Sequence, residues 1–124
     1  LLGFWNDSYE RCGIILSSGT VVEIPNQAGQ YGMPTCEFAM FRKDVSNAIL
    51  PGNSIRGIFH THPSNVNRPS TLDIAGWPVG VEYYIVTKDL VTEWKLVGSR
   101  AILVSRSGTG SALADPVRSA PAAS

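Results

Sequence analysis

Apolar positions in this chain fall in short blocks, punctuated by glycine, proline and serine rather than by long polar stretches. Cys12 to Leu16 is an apolar run of β-formers that stops at Ser17-Ser18-Gly19, and Thr20 to Ile24 follows with Pro25 closing it, which predicts a hairpin. Residues 26–35, with Gly29, Gly32 and Pro34 among polar neighbours, read as a loop, and Cys36 to Phe41 reads as a short strand. From Arg42 to Leu50, Val45, Ala48 and Ile49 share one helical face, and Pro51-Gly52-Asn53 ends the helix. Ile55 to His62 predicts a strand cut off by Pro63 and a polar loop to Pro69. Ser70-Thr71-Leu72-Asp73 has the form of a capping box, so a short helix should start at about Ser70 and stop near Gly76 to Pro78, where Trp77 would pack on the sheet. Glu82 to Thr87, Val91 to Val97 and Ala101 to Ser105 complete the pattern as strands, joined by turns at Lys88-Asp89 and Gly98-Ser99. Leu1, Leu2, Phe4 and Trp5 are too few to define a period and read as a lead-in or the end of a helix.

The fold class is therefore mixed α/β, and 124 residues suffice for one hydrophobic core but not for two ordinary domains. Residues 1–106 form the expected domain. Residues 107–124 contain thirteen Ser, Gly, Ala or Pro among eighteen, too few large apolar groups to offset ordering entropy, and read as a disordered tail. Ten basic residues balance ten acidic ones, which gives no electrostatic grip on nucleic acid or on an anionic membrane. No apolar run reaches the roughly 18 residues of a spanning helix, and the opening Leu-Leu-Gly-Phe-Trp-Asn lacks the form of a signal peptide. Cys12 and Cys36 make no paired metal spacing; reduced thiols in a cytoplasmic protein are expected. Without an initiator Met the chain reads as a piece of a longer one.

The chemistry concentrates in Gly57-Ile58-Phe59-His60-Thr61-His62-Pro63, which holds both histidines of the chain. Residues i and i+2 of a strand project to one face, so the two imidazoles can converge on one ion. Asp73, with ten residues between it and His62, can bring a third, anionic ligand back from the following turn, and it can also serve at the N3 position of the short helix. Two histidines and one carboxylate leave a fourth position for water, as catalytic zinc requires. Ser70 can act as an N-cap or donate its hydroxyl to an oxyanion. Glu10, in Tyr9-Glu10-Arg11-Cys12-Gly13, is locally no different from Glu23 or Glu37, and Cys12 reads as a core residue.

Glu10 ahead of Cys12-Gly13, then His60-Thr61-His62-Pro63, Ser70 and Asp73, resembles the JAMM (MPN-plus) metallopeptidases over Glu10 to about Val104. The resemblance implies a deaminase-like fold with a central mixed β-sheet flanked by helices. It also implies Zn2+ on His60, His62 and Asp73, Glu10 as the proton carrier, and Ser70 beside the oxyanion. The activity implied is hydrolysis of a peptide or isopeptide bond in a protein or peptide substrate, including ubiquitin-like and phage tail proteins. About eight residues separate Asp73 from the next strand, which suits a minimal prokaryotic or phage type. The few residues before Glu10 imply an exposed apolar surface and pairing, as a dimer or with another subunit. Two rivals stand beside this reading. A non-catalytic MPN-type interaction scaffold has no need of the full motif, and a zinc deaminase would need a Cys-x-x-Cys element that the chain lacks.

Overall fold

The computed structural model describes residues 1–28, 38–78 and 80–108. Its centre is one mixed sheet of six strands, β1 (Cys12–Leu16), β2 (Val21–Ile24), β3 (Ile55–Thr61), β4 (Glu82–Val86), β5 (Leu90–Val97) and β6 (Arg100–Gly108), ordered β2-β1-β3-β4-β5-β6 across the sheet. A 3-10 turn (Leu2–Phe4) and two short helices, α1 (Arg42–Ala48) and α2 (Thr71–Ala75), complete the described elements. β3 and β4 run parallel, and every other neighbouring pair is antiparallel. A parallel pair cannot be joined by a tight turn, so the chain leaves β3, makes a crossover through α2 and returns to β4. That crossover carries the polar loop and Asp73 back over the end of β3.

Alternate residues of the central strands feed two cores. Ile14, Leu16, Ile58, Tyr83, Ile85 and Trp94 cluster with Ala48 of α1 and with Trp77, whose ring stacks on Tyr83 at 4.3 Å between centroids. Ile15, Val21, Phe59, Tyr84, Val86 and Val91 form the opposite cluster, covered by Leu1, Leu2, Phe4 and Trp5. Because both faces are covered, β1 and β4 read as near-continuous apolar runs rather than as alternating ones. Burying one such large side chain contributes about 1.5–3 kcal/mol. Gly13 is required where β1 is tightest, since a Cβ there would run into the Val22 carbonyl oxygen and the Phe59 ring.

The structure departs from the sequence expectation in three places. Helical cover is sparse: among the described residues, α1 and Trp77 pack on one face, and only the short 3-10 turn at the N-terminus covers the other. Phe38–Phe41 belongs to no strand; its backbone is taken up locally, with Gln27 N–H donating to Ala39 O at 2.8 Å. β6 runs on past Ser105 to Gly108, so Ser107 and Gly108, assigned by composition to the tail, pair with Val91 and Leu90. Residues 109–124, and Cys36 with the first part of its expected strand, lie outside the described residues. No described helix is long and apolar enough to cross a membrane.

Candidate metal centre

The sheet register brings Glu10 to the histidines. Cys12 pairs with His60 across the antiparallel β1–β3 ladder. One step back, Thr61 N–H donates to Arg11 O and Arg11 N–H donates to Thr61 Oγ1, both at 2.8 Å. A further step sets Glu10 beside His62. Asn26 fixes this stretch from outside the ladder: its Nδ2 donates to Glu10 O at 2.9 Å, while its Oδ1 accepts from Ala28 N–H and Ala39 N–H. On β3, His60 follows Ile58 on the helix-bearing face, and His62 is anchored just past the strand end by its N–H to Val86 O at 2.9 Å.

Glu10, His60 and His62 are all buried, and each offers a ligand atom within 4.8 Å of the other two, a group that could hold a metal ion. Asp73 joins them from α2. Its Oδ2 lies 3.2 Å from His60 Nε2 and 3.3 Å from His62 Nε2, and the two imidazole nitrogens are 2.8 Å apart. Donors bound tetrahedrally at about 2.0–2.1 Å from one zinc ion lie roughly 3.3–3.4 Å from each other. The two His–Asp separations match that spacing. The His–His separation is a hydrogen-bond distance and would open by about 0.5 Å on binding.

The capping box expected at Ser70 is complete. Asp73 N–H donates to Ser70 Oγ at 3.0 Å and Ser70 N–H donates to Asp73 Oδ2 at 2.8 Å, which starts α2 and turns the carboxylate toward β3. Ser70 thus caps the helix, and it also lines, with Glu10 and His62, an open cleft of about 740 Å³. Structure therefore brings Glu10, His60, His62 and Asp73 into one buried group and leaves Ser70 at its solvent side.

The protonation states suit metal ligands. Burial holds the His60 imidazole below its ordinary pKa, against the opposing hydrogen bond and charge of Asp73, and His62 adds to the lowering. Burial alone would raise the Asp73 carboxyl, but hydrogen bonds from His60 and His62, with the Ser70 N–H, outweigh it and hold the group well below the usual carboxylate range. A neutral imidazole and an ionised carboxylate are the forms that bind a divalent ion. Cys12, fully buried with a free thiol, is pushed up to about 12 by burial and then by the charges of Glu10 and Glu23, so it belongs to the core.

Several supporting groups were not legible in the sequence. His62 Nδ1 is 2.5 Å from Val66 O, so with an ion in place Nδ1–H would donate there and the Nε2 lone pair would face the site, an outer contact common at metal centres. The loop that supplies this carbonyl is tied down twice. Asn65, at φ 64°, accepts from Lys88 N–H at 2.8 Å, and Thr92 Oγ1 donates to Asn67 O at 3.1 Å. Thr92 in turn accepts from Trp94 Nε1–H at 2.8 Å. The only local signal was asparagine itself, which tolerates the left-handed region better than most residues.

Neither a scan against protein-family models nor a search of curated proteins gives a match to this chain. Its chemistry is therefore read from the site itself.

Proposed function

We propose that this chain is a zinc-dependent hydrolase of peptide or isopeptide bonds, with His60, His62 and Asp73 as ligands and Glu10 as general base. The observation that carries the reading is the buried Glu10-His60-His62 group with the Asp73 carboxylate 3.2 and 3.3 Å from the two imidazole nitrogens. Two nitrogens and one carboxylate oxygen form a donor set that zinc accepts with a fourth position to spare. A bound ion would supply Lewis-acid polarisation of a carbonyl and a lower pKa for water.

The protein's own groups do the rest. Glu10, buried and ionisable beside His62, takes the proton of the attacking water and returns it to the departing nitrogen. Ser70 Oγ accepts the Asp73 N–H and keeps its own hydrogen free to donate to the oxyanion in the cleft that it lines. The open cleft admits an extended chain, which suits a protein or peptide substrate such as a ubiquitin-like or phage tail protein. A scaffold of the same fold would have no need of a glutamate facing the histidines, so the inward position of Glu10 supports the catalytic reading.

Elemental analysis of the purified chain, beside Glu10→Gln and His62→Ala, tests this. About one zinc per chain is expected, kept by Glu10→Gln and lost by His62→Ala, with hydrolysis of a peptide and isopeptide panel lost in both. Zinc that survives His62→Ala, or a metal-free chain after zinc loading, would overturn the reading and bring the scaffold forward.

A further inference from the structure

Arg68 lies on the loop between β3 and α2 and lines the metal cleft together with Glu10, His62 and Ser70. It also lines a second, smaller cavity of about 260 Å³ on the β5–β6 side, shared with Arg106, Trp94 and Asn67. The two cavities therefore adjoin at Arg68. Neither Arg68 nor Arg106 makes an ion pair among the described residues, where the arginine pairs are Arg11–Glu23 and Arg56–Glu82. Two arginines with no ion pair among the described residues thus line one small cavity beside the reaction cleft.

The platform beneath them is fixed. Arg68 Cζ lies 5.8 Å from the Trp94 ring centroid, a cation–π contact that holds the charged head over the indole. Trp94 cannot turn easily, because its ring is buried and its Nε1–H donates to Thr92 at 2.8 Å. Thr92 pairs with Arg106 across the β5–β6 ladder and donates to Asn67 O, next to Arg68. One hydrogen-bonded unit therefore presents both arginines. A guanidinium fork matches the two oxygens of a carboxylate, and two forks with no acid paired to them among the described residues select for one.

We propose that Arg68 and Arg106 form a carboxylate-binding subsite next to the metal cleft, so that the preferred substrate bears a free carboxylate close to the bond that is cut. This rests on the hydrolase reading for its catalytic consequence, although the binding of a carboxylate does not. Two sources of the group are open, a C-terminal carboxylate and an acidic side chain.

The test uses acetylated peptides in matched pairs, C-terminal acid against amide and Asp or Glu against Asn or Gln, with the zinc-loaded wild-type chain, Arg68→Met and Arg106→Met. Both arginines are exposed, so the variants should fold. For one of the two sources, KM should be about tenfold lower for the charged member of the pair in the wild type, with kcat unchanged. Each variant should erase that difference, so that the two members of a pair then give the same KM. Equal KM within every pair in the wild type, or a preference that survives both variants, would overturn the subsite. A second readout needs no turnover: the indole N–H resonance of Trp94, assigned with Trp94→Phe, should shift on titration with the charged peptide and not with its neutral partner. That shift, lost in Arg68→Met but seen in a chain that cleaves nothing, would uphold the subsite while the hydrolase reading fails. Cleavage without a charge preference would do the reverse.

Discussion

His60 and His62 stand two residues apart on one stretch of chain, yet different forces hold them. His60 is fixed by packing: its ring is fully buried, stacked on Phe38 at 4.5 Å and met edge-on by Tyr83 at 5.2 Å, and its Nδ1 has no hydrogen-bond partner among the described residues. His62 is fixed by a hydrogen bond from Nδ1 to Val66 O, in a loop that is itself held by Asn65 and Thr92. The strand side of the site is thus set by sheet register and core shape, whereas the loop side is set by a few polar contacts. Core shape resists change everywhere at once. Polar contacts can be cut singly, so the loop side is where metal affinity can be altered without unfolding the chain.

The largest effect should come from breaking the strand side. Gly13→Val forces atoms into the Val22 carbonyl and the Phe59 ring, and loss of at least the roughly 1–3 kcal/mol typical of overpacking is expected, read as a lowered urea midpoint in chelator-treated protein. If the midpoint did not move, the β1–β3 register that places Glu10 would be wrong. Next comes Thr92→Val, which removes the donor to Asn67 O and the acceptor of Trp94 Nε1–H. Leaving buried polar groups unpaired costs about 1–3 kcal/mol. Zinc affinity by competition titration should also fall, by about 10- to 100-fold if the loop positions His62 as an outer-shell partner does. Thr92→Ser, which keeps the hydroxyl, should recover most of that affinity.

Ser70 separates the two roles of a single hydroxyl. Ser70→Ala should cost about 1 kcal/mol through the lost cap, whereas Ser70→Asn should restore the cap. If the hydroxyl also serves the oxyanion, turnover should stay down by roughly 100- to 1,000-fold in both variants. Recovery of turnover with Asn would reduce Ser70 to a helix cap. The smallest effect belongs to the surface. Arg11 and Glu23, with side chains 28% and 39% exposed, are joined at 2.6 Å, and Arg11→Ala should change stability by no more than about 1 kcal/mol, less in high salt.

The strand side was also the more legible side in the sequence. Short apolar runs gave β1 to β5 within a residue or two, because turn-forming residues bound them and β1 and β4 are covered on both faces. The histidine pair followed from the two-residue period of a strand. The capping box at Ser70 and Asp73 could be read because its partners are three residues apart. What could not be read was set at a distance. Phe38 stacks on His60 from outside any strand, and no local pattern marks a residue whose role is to cover a ring. β6 runs to Gly108 because β5 offers it a partner, while composition alone makes Ser107 and Gly108 look like tail. Glu10 could be singled out only by resemblance, since its position comes from β1–β3 pairing across about fifty residues.

The parallel pairing of β3 with β4 has a consequence for the order of events in folding. Its crossover must close before Asp73 can meet the histidines, and Glu10 arrives only when β1 has docked on β3. Such long-range pairings form late, after local turns and helices. A half-folded chain therefore has the histidine pair and the carboxylates but no place where they all meet. On the proposed metal reading, capture of an ion would mark the end of folding, and a chain that held it tightly would have completed its topology.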